Sequence, residues 1–397
     1  MKIIHMFYTI TLLLITTPAW VAPIELGASV QMTGSLADTG RYYADGYQFA
    51  VDKINAAGGV KVGNSREKLR LKILDNKSNI KLSVKQYIQL VTKDNINFLL
   101  GPYGSDFVLA DSAIAEKYKR PMIQGGGASK QIFSRGYQYI FGTLPSASDY
   151  YQSTIKAMMK LDPAPKTVAL LYSGDPASLS HIDGARELIK NTPLKIVLDQ
   201  KFDANTSNFH ALLSLIKSKN IDAVLFSSRK TEAINFIRQA KNLDVNPKFY
   251  SFTNAVQSAS FRDILKEDAN YVCGMTPWMP SKVLKDDYFV NGEEFVNEYK
   301  KRFGYEPDYH VASAVANIEA FVKAIEAANS LEPNKVRDAI AKLNFNSLYG
   351  QIRFNVTGQI DLPQSLVQIQ NGKLVTLYKQ NDFIEKPLYP MPVWSKR

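Results

Sequence analysis

INFLLGPYGSDFVLADSAIAEKYKRPMIQGGGAS, at residues 96–129, predicts one complete strand–helix–strand unit. Residues 96–101 are a short apolar run typical of a buried strand, and residues 107–119 have the apolar spacing of an amphipathic helix. Residues 121–124 predict the next strand. Two buried strands joined by such a helix indicate a right-handed βαβ unit in a parallel sheet covered on both faces.

The same alternation continues on both sides of this unit. Upstream, a helix stops at Gly58-Gly59, a strand follows at residues 69–75, and a helix covers residues 80–93. Downstream, a second series of strands and helices begins after residue 148. Its helices are predicted at 149–160, 179–190, 207–219 and 230–242, and its strands at 167–172, 195–202, 221–228 and 248–253.

The last third of the chain has a different pattern. It is mostly helical from about residue 285, with helices predicted at 287–303, 309–329 and 333–343. Short strands end it, and an Asn371-Gly372 pair between them predicts a hairpin. The sequence therefore predicts two α/β units on which this third packs. A cleft is expected at the carboxyl ends of the strands, where parallel sheets bind ligands.

Three consecutive glycines, Gly125 to Gly127, lie between a predicted strand and a possible helix. Glycines at such a turn allow close approach to the backbone. Neither GPYGSDF nor GGGASK has the spacing of a phosphate-binding loop, and no paired nucleophile and histidine accompany the glycines as in an esterase. A site for another anion and a simple tight turn both remain open.

Residues that carry catalysis or bind metals are sparse. The histidines, at positions 5, 181, 210 and 310, are scattered, and Cys273 is the only cysteine. No spacing is typical of a metal site. We therefore expect no enzyme activity, catalytic residue, metal or cofactor. The net charge of +11 comes from basic residues spread along the chain, so we expect no nucleic-acid partner.

Residues 1–22 predict a cleaved secretory signal peptide. Lys2 precedes an apolar stretch from Ile3 to Ile15, and small residues follow near Ala19 and Ala22. No cysteine lies directly after this segment, so a lipoprotein is not expected. Because a lone cysteine forms no internal disulfide, the bacterial periplasm is the predicted location.

Four segments resemble one family in the right order. They are QMTGSLADTGRYYADGYQFAVDKINAAGGV (31–60), LLGPYGSDFVLADSAIAEKYKRPMIQGGGAS (99–129), FIRQAKNLDVNPKFYSFT (236–253) and GYEPDYHVASAVANIEAFVKAIEAA (304–328). The family is that of the periplasmic substrate-binding proteins of ABC importers, in the branch of the leucine/isoleucine/valine-binding proteins. The resemblance implies a type I periplasmic-binding fold, in which two Rossmann-like α/β lobes with parallel sheets are joined by three crossovers.

The resemblance also implies how the chain divides. Lobe 1 is expected to contain residues 23–143 plus 280–350, and lobe 2 residues 144–279 plus 351–380, with a C-terminal tail at 381–397. The crossovers are expected near Thr143–Pro145, Thr276–Pro280 and Gly350–Arg353. Ligand contact with both lobes would favour the closed state, which an inner-membrane permease would recognise. The protein is expected to act as a monomer.

In family members that bind amino acids, two loops of the first lobe hold the ligand carboxylate. By resemblance, Ser105 is a hydroxyl donor, while Gly126, Gly127 and Ala128 supply backbone contacts. Ala128 stands where Ser or Thr is usual, and Ser129 is the substitute hydroxyl. Amides at helix N-termini after parallel strands form an anion site without a formal positive charge. Tyr103 either stacks on the ligand or packs in the core.

The second lobe departs from the amino-acid pattern. Asn254 stands where amino-acid binders often place an acidic partner for the ligand ammonium, and Arg229 suggests a second anionic group on the ligand. The alternative for Arg229 is a solvated residue at a helix start. Asp149 is either an ammonium partner or a helix N-cap, and Trp278 either walls the cleft or fills the hinge.

The expected function is capture of a small carboxylate-bearing ligand and its delivery to an ABC permease. A branched-chain amino acid is the default ligand, and an aromatic acid or a dicarboxylate is the alternative because of Arg229 and Asn254. A ligand sensor with the same fold is the other alternative.

Overall fold

The computed structural model describes residues 23–284 and 286–397, so the predicted signal peptide lies outside the described residues. None of the helices in these ranges is long and apolar enough to cross a membrane.

The first lobe is built on a five-stranded parallel sheet in the order β4-β1-β5-β6-β7. A small antiparallel hairpin, β2–β3, lies before β4 in the chain. The strands are β1 (Ile24–Val30), β2 (Val60–Val62), β3 (Ser65–Glu67), β4 (Leu69–Asp75), β5 (Phe98–Leu100), β6 (Met122–Gln124) and β7 (Ile140–Gly142). The helices between them are α1 (Ala37–Ala56), α2 (Ile80–Thr92), α3 (Ser105–Tyr118) and α4 (Lys130–Phe133).

The second lobe begins with five parallel strands in the order β9-β8-β10-β11-β12. These strands are β8 (Thr167–Ser173), β9 (Lys195–Phe202), β10 (Ala223–Ser227), β11 (Phe249–Phe252) and β12 (Cys273–Thr276). Its helices are α5 (Gln152–Met158), α6 (Pro176–Ile189), α7 (His210–Ser218), α8 (Lys230–Asn242) and α9 (Ala259–Leu265). Short 3-10 helices cover Ala147–Asp149 and Lys266–Ala269.

The C-terminal third returns to both lobes, as predicted. Its elements are α10 (Gly292–Phe303), α11 (Tyr309–Ala328), α12 (Pro333–Ile340), β13 (Asn344–Ser347), β14 (Gly350–Arg353), β15 (Ser365–Gln370), β16 (Lys373–Lys379), β17 (Asp382–Phe383) and a 3-10 helix at Trp394–Lys396. The largely buried helix α11 packs on α1 and β6 in the first lobe. Strands β15, β16 and β17 extend the second sheet from β12 in antiparallel fashion, and the Asn371-Gly372 turn joins β15 to β16 as predicted.

The chain passes between the two sheets three times, and this confirms the predicted fold class. It leaves the first sheet after β7 and returns from the second after β12. The third passage follows the β13–β14 hairpin and reaches β15, with a bridge from Gly142 to Gln359 on the way. The carboxyl ends of both sets of parallel strands consequently face one interlobe space.

Three helices, α5, α7 and α10, start later than predicted, and α10 differs most. Helix α10 begins at Gly292 and not at residue 287, because local side chains hold the preceding turn. Asp286 Oδ1 accepts hydrogen bonds from the amides of Tyr288 and Phe289, and Asn291 Oδ1 accepts those of Glu293 and Glu294. Such side-chain bonds to the backbone compete with the helix and then cap it.

Candidate functional site

A cavity of about 30 Å³ lies between the two lobes at the carboxyl ends of their strands. Its wall comes from loops after β5, β6, β7, β8, β10 and β11, and from the starts of helices in both lobes. The lining residues are Tyr103, Gly104, Ser105, Gly126, Ala128, Leu144, Tyr150, Asp175, Ala177, His181, Arg229, Asn254, Tyr309 and His310. Because ligand cavities commonly exceed about 300 Å³, these walls must separate to admit a ligand.

The structure brings most of the residues predicted from the sequence together here. Of the predicted site residues, those that line the cavity are Tyr103, Ser105, Gly126, Ala128, Arg229 and Asn254. Tyr103 is buried and also stacks on Tyr43, with ring centroids 6.4 Å apart, so it serves the core and the cavity together. Gly127, Ser129, Asp149 and Trp278 lie outside the lining.

The amides of the glycine loop are already hydrogen-bonded to side chains of the protein. The amides of Gly126 and Gly127 donate to Gln124 Oε1 over 2.9 and 2.6 Å. The amides of Ala128 and Ser129 both donate to Ser105 Oγ over 3.1 Å. A ligand carboxylate that uses the last two amides must therefore displace the Ser105 hydroxyl from them.

Gly126 is also needed for the packing of two loops against each other. A Cβ atom there would lie 2.0 Å from the carbonyl oxygen of Pro102, in the neighbouring loop after β5. Backbone atoms do not yield to such a contact, so the two loops can touch only where one of them has no side chain. Close approach of two backbone loops is the structural reason for this glycine.

Ser129 contacts the other lobe instead of the cavity. Its hydroxyl lies 3.1 Å from Ser180 Oγ on α6, and it accepts a hydrogen bond from the amide of Gln131 at the start of α4. It therefore caps α4 and joins the lobes. The Ser129 hydroxyl therefore does not replace, in the cavity wall, the hydroxyl that is missing at Ala128.

Arg229 lines the cavity but has a protein partner from the opposite lobe. Its Nη2 lies 2.9 Å from Asp106 Oδ2, in the first turn of α3, and both side chains are mostly buried. Burial by itself would lower the pKa of Arg229, yet the nearby charge of Asp106 leaves that pKa raised. The guanidinium is therefore a fixed cation at the edge of the cavity.

Asp175 is an acidic lining residue that the sequence analysis missed. Its oxygens accept from the amides of Ala177 and Ser178 and from the hydroxyls of Ser173 and Ser178, as the N-cap of α6. Burial by itself would raise the pKa of Asp175, but these hydrogen bonds hold it below the ordinary value. Its position directly after strand β8 was the available sequence signal.

Two histidines of the lining were also missed. His181 Nδ1 lies 2.9 Å from Ser227 Oγ, and burial lowers the pKa of His181 to about 4. His310 Nδ1 lies 2.9 Å from Asp308 Oδ1. Within residues 23–284 and 286–397, neither Nε2 atom has a hydrogen-bond partner. A lone histidine on a helix gives no local signal that its ring faces another lobe.

Aromatic rings complete the wall. Tyr150 lies against His181 with centroids 4.4 Å apart, and Tyr309 stacks on His310 at 3.9 Å. The Tyr309 hydroxyl is 3.5 Å from Asn254 Oδ1 across the interlobe space. The cavity therefore offers aromatic surface together with a cation, an anion and imidazole nitrogens.

The two remaining predicted residues lie elsewhere. Asp149 ends the 3-10 helix at Ala147–Asp149, whose cap is Ser146, and burial followed by the charge of Asp361 raises the pKa of Asp149. Trp278 is buried beside the second passage between the lobes, where its Nε1 donates to Leu348 O over 2.9 Å. Trp278 lines a separate groove of about 660 Å³, which shares the lining residue Tyr309 with the small cavity.

The side chains that usually bind metal ions are not clustered in the described part of the chain. No group of three His, Cys, Asp or Glu side chains that could hold a metal ion occurs in the described part of the chain. The lone Cys273 is buried in β12, and burial raises the pKa of its thiol.

Known proteins share this architecture. The family described as "Periplasmic binding protein" matches residues 23–373. The Leu/Ile/Val-binding protein homolog 8 of Brucella abortus is 25% identical over 397 residues, which cover 93% of each chain. The family match extends over both lobes and over the C-terminal third as far as residue 373.

Solved structures agree on the fold. The branched-chain amino acid transporter substrate binding protein LivJ of Streptococcus pneumoniae, in complex with isoleucine, has a TM-score of 0.79 at 23% identity and covers 89% of this chain and 98% of its own. An ABC transporter solute binding protein of R. palustris, in complex with benzoate, has a TM-score of 0.77 at 15% identity, with coverage of 94% and 97%. The chain therefore belongs to the periplasmic binding protein family, as a type I member of the branch that contains the Leu/Ile/Val-binding proteins.

Proposed function

We propose that this protein is the solute-binding component of an ABC importer and captures a small carboxylate-bearing ligand in the interlobe cavity. The observation that carries the proposal is that residues from both lobes form the wall of one cavity, with Ser105 and Gly126 on one side and Arg229 and Asn254 on the other. A ligand that contacts both sides favours the closed state over the open one.

The remaining parts of the proposal rest on the sequence and on the resemblance to the family. The first lobe comprises residues 23–143 plus 280–350, the second residues 144–279 plus 351–380, and 381–397 is the C-terminal tail. The protein is a periplasmic monomer, exported through a cleaved signal peptide at 1–22. It carries out no catalysis and delivers its ligand to an inner-membrane permease.

A branched-chain amino acid is the first candidate ligand, in line with the isoleucine complex of LivJ. An ammonium group needs acceptors in the cavity, because a buried unpaired charge costs several kcal/mol, on the order of 3 to 5. Asn254 Oδ1 and the Nε2 atom of neutral His310, which has no partner among the described residues, are such acceptors.

A non-amino-acid carboxylate, either aromatic or dicarboxylic, is the second candidate. It is favoured because Asp175, the acidic side chain in the cavity wall, already accepts four hydrogen bonds from its own lobe. The tyrosine and histidine rings of the wall also offer flat surfaces to an aromatic acid, as in the benzoate-bound neighbour.

A thermal-shift series with leucine, isoleucine, valine, benzoate and succinate separates these ligands. Ligand at about 100 times its Kd adds roughly 2.7 kcal/mol to the stability of the native state. Stabilisation by the amino acids alone supports the first candidate, and stabilisation by benzoate or succinate alone supports the second. Failure of every carboxylate to stabilise the protein would contradict the proposal.

Variants on one helix provide the matched control. Arg229→Met, at the start of α8, removes the cation of the cavity, whereas Arg238→Met changes an exposed arginine on the same helix. We expect the first variant to lose ligand stabilisation and the second to keep it. Loss of ligand uptake by cells that lack the protein would distinguish transport from sensing.

A further inference from the structure

Two buried imidazoles face the cavity from opposite lobes. His181 lies on α6 of the second lobe and is 1% exposed, and His310 lies on α11, which packs on the first lobe, and is 5% exposed. In each ring Nδ1 has a protein partner, whereas no described residue pairs with Nε2. Buried polar atoms are normally hydrogen-bonded, so each unpaired Nε2 calls for a ligand atom.

The tautomer of His310 follows from its partner. Asp308 Oδ1 accepts from the His310 amide and from His310 Nδ1, both over 2.9 Å. A carboxylate can only accept, so Nδ1 carries a proton, and in the neutral form of this tautomer Nε2 presents a lone pair. A group that satisfies this atom must donate a hydrogen bond.

The surroundings of His310 are mostly aromatic. Rings of Tyr42, Tyr43, Tyr103 and Tyr309 surround the imidazole, with centroids 6.1, 5.8, 5.5 and 3.9 Å away. The cavity of about 30 Å³ has room for about one or two water molecules, which an incoming ligand must displace. A ligand without a donor would leave the Nε2 lone pair unpaired and desolvated, which penalises its binding.

His181 provides the second contact. Burial lowers its pKa to about 4, so the ring is neutral near pH 7. Its Nδ1 partner, Ser227 Oγ, lies 3.3 Å from Thr253 Oγ1, and these hydroxyls can donate or accept. His181 Nε2 therefore adapts to a donor or an acceptor, whereas the neutral tautomer of His310 that Asp308 selects can only accept at Nε2.

We infer that His310, oriented by Asp308, selects carboxylates that also carry an N–H or O–H donor, and that His181 contacts the same ligand from the other lobe. This inference rests on the proposed function. The donor is the ammonium of an amino acid or the hydroxyl of a hydroxy acid, and simple monocarboxylates and dicarboxylates are rejected. Asp308 acts as a positioning residue.

Matched ligand pairs test the inference. Dissociation constants of the purified protein are measured by calorimetry for leucine against 4-methylpentanoate, and for 4-hydroxybenzoate against benzoate. We expect the donor-bearing member of one pair to bind at least about tenfold more tightly than its partner. A preference in the first pair identifies the ammonium, and one in the second identifies the hydroxyl.

Variants then assign the preference to His310. His310→Phe keeps an aromatic ring, and we expect the preference to fall below about threefold. Asp308→Asn retains an oxygen that can cap α11, so the thermal midpoint should stay close to that of the wild type. The amide no longer fixes the proton of His310 at Nδ1, so the preference for donor-bearing ligands should fall. His210→Phe, at an exposed position on α7, is the control and should keep the full preference.

Two results would overturn this inference but not the proposed function. One is equal binding of donor-bearing and donor-free carboxylates by the wild type, and the other is an unchanged preference in both His310→Phe and Asp308→Asn. In either case carboxylate binding persists, so the proposed function stands. Absence of binding by all four probes would overturn the proposed function and the inference together.

Discussion

The guanidinium of Arg229 lies 2.9 Å from the carboxylate of Asp106, and this ion pair joins the second lobe to the first across the mouth of the cavity. Lys230 and Asp38 form another pair between the lobes. The sequence suggested a second anionic group of the ligand as the partner of Arg229. In the structure that partner is a protein carboxylate, so a dicarboxylate ligand would have to displace it.

Removal of this ion pair should loosen the closed state. Asp106→Asn leaves the mostly buried Arg229 without its anion, and we expect a loss of about 1 to 3 kcal/mol in unfolding free energy. The radius of gyration from X-ray scattering without ligand should increase as the lobes separate. Asp268→Asn breaks the Lys241–Asp268 pair at the surface and is the control, with an effect below about 1 kcal/mol. Equal behaviour of the two variants would argue against the role of Asp106.

Gly126 is expected to tolerate no side chain. Its Cβ would meet Pro102 O at 2.0 Å, so Gly126→Ala must push the two loops apart, at a cost of about 1 to 3 kcal/mol. Gly174→Ala is the control, because the nearest atom to its Cβ is the flexible Lys201 Cδ at 3.8 Å. Urea denaturation of both variants is the measurement. A Gly126→Ala protein as stable as Gly174→Ala would contradict the close approach of the loops.

Ser105→Ala should destabilise the protein and make it responsive to small carboxylates. The substitution removes the acceptor of the Ala128 and Ser129 amides, and unsatisfied buried amides cost about 1 to 3 kcal/mol. If these amides form a carboxylate site, formate or acetate should raise the thermal midpoint of Ser105→Ala more than that of the wild type.

Ser218→Ala, at an exposed position, is the control for this prediction. Its free energy of unfolding should match that of the wild type within about 0.5 kcal/mol. A destabilised Ser105→Ala protein that responds to formate and acetate no more than the wild type would place the ligand carboxylate elsewhere.

Acid should destabilise the protein partly through His181. Burial lowers its pKa to about 4, below the value of about 6.5 for an exposed histidine. The unfolded state therefore takes up the proton first as the pH falls from 6.5 to 4, and stability falls with it, by on the order of 3 kcal/mol. Asp175 stays ionised through this window, because its hydrogen bonds lower its pKa despite burial.

Urea denaturation at several pH values between 7 and 4 measures this effect. His181→Gln removes the titrating ring, so its stability should depend less steeply on pH than that of the wild type. His210→Gln changes an exposed histidine and should leave the pH dependence unaltered. Parallel curves for the wild type and His181→Gln would contradict the prediction.

The loops after the strands were predictable from sequence. Tyr103, Ser105, Gly126 and Ala128 follow the two strands of the opening unit, and all four line the cavity. The parallel direction of the strands follows from the local alternation of apolar runs and amphipathic helices, and the carboxyl ends of parallel strands lie on one edge of a sheet. The alternation placed these loops at that edge, and the family resemblance singled out the residues within them.

The helix-borne part of the site could not be predicted in this way. His181 lies on α6, and Tyr309 and His310 lie at the start of α11. They reach the cavity because these helices pack at the boundary between the lobes. Helical spacing indicates which residues are buried, but it does not distinguish a side chain that faces its own sheet from one that faces the other lobe.

The sequence by itself determined the alternation of strands and helices, the two α/β units and the edge of the sheets at which a ligand binds, because these depend on local patterns of apolar residues. Only the tertiary structure decided the partners of the polar groups. Arg229 meets Asp106 from 123 positions away, and Ser105 meets the amides of Ala128 and Ser129. Hydrogen bonds and ion pairs act over about 3 Å, and folding alone brings residues so distant in sequence to that separation.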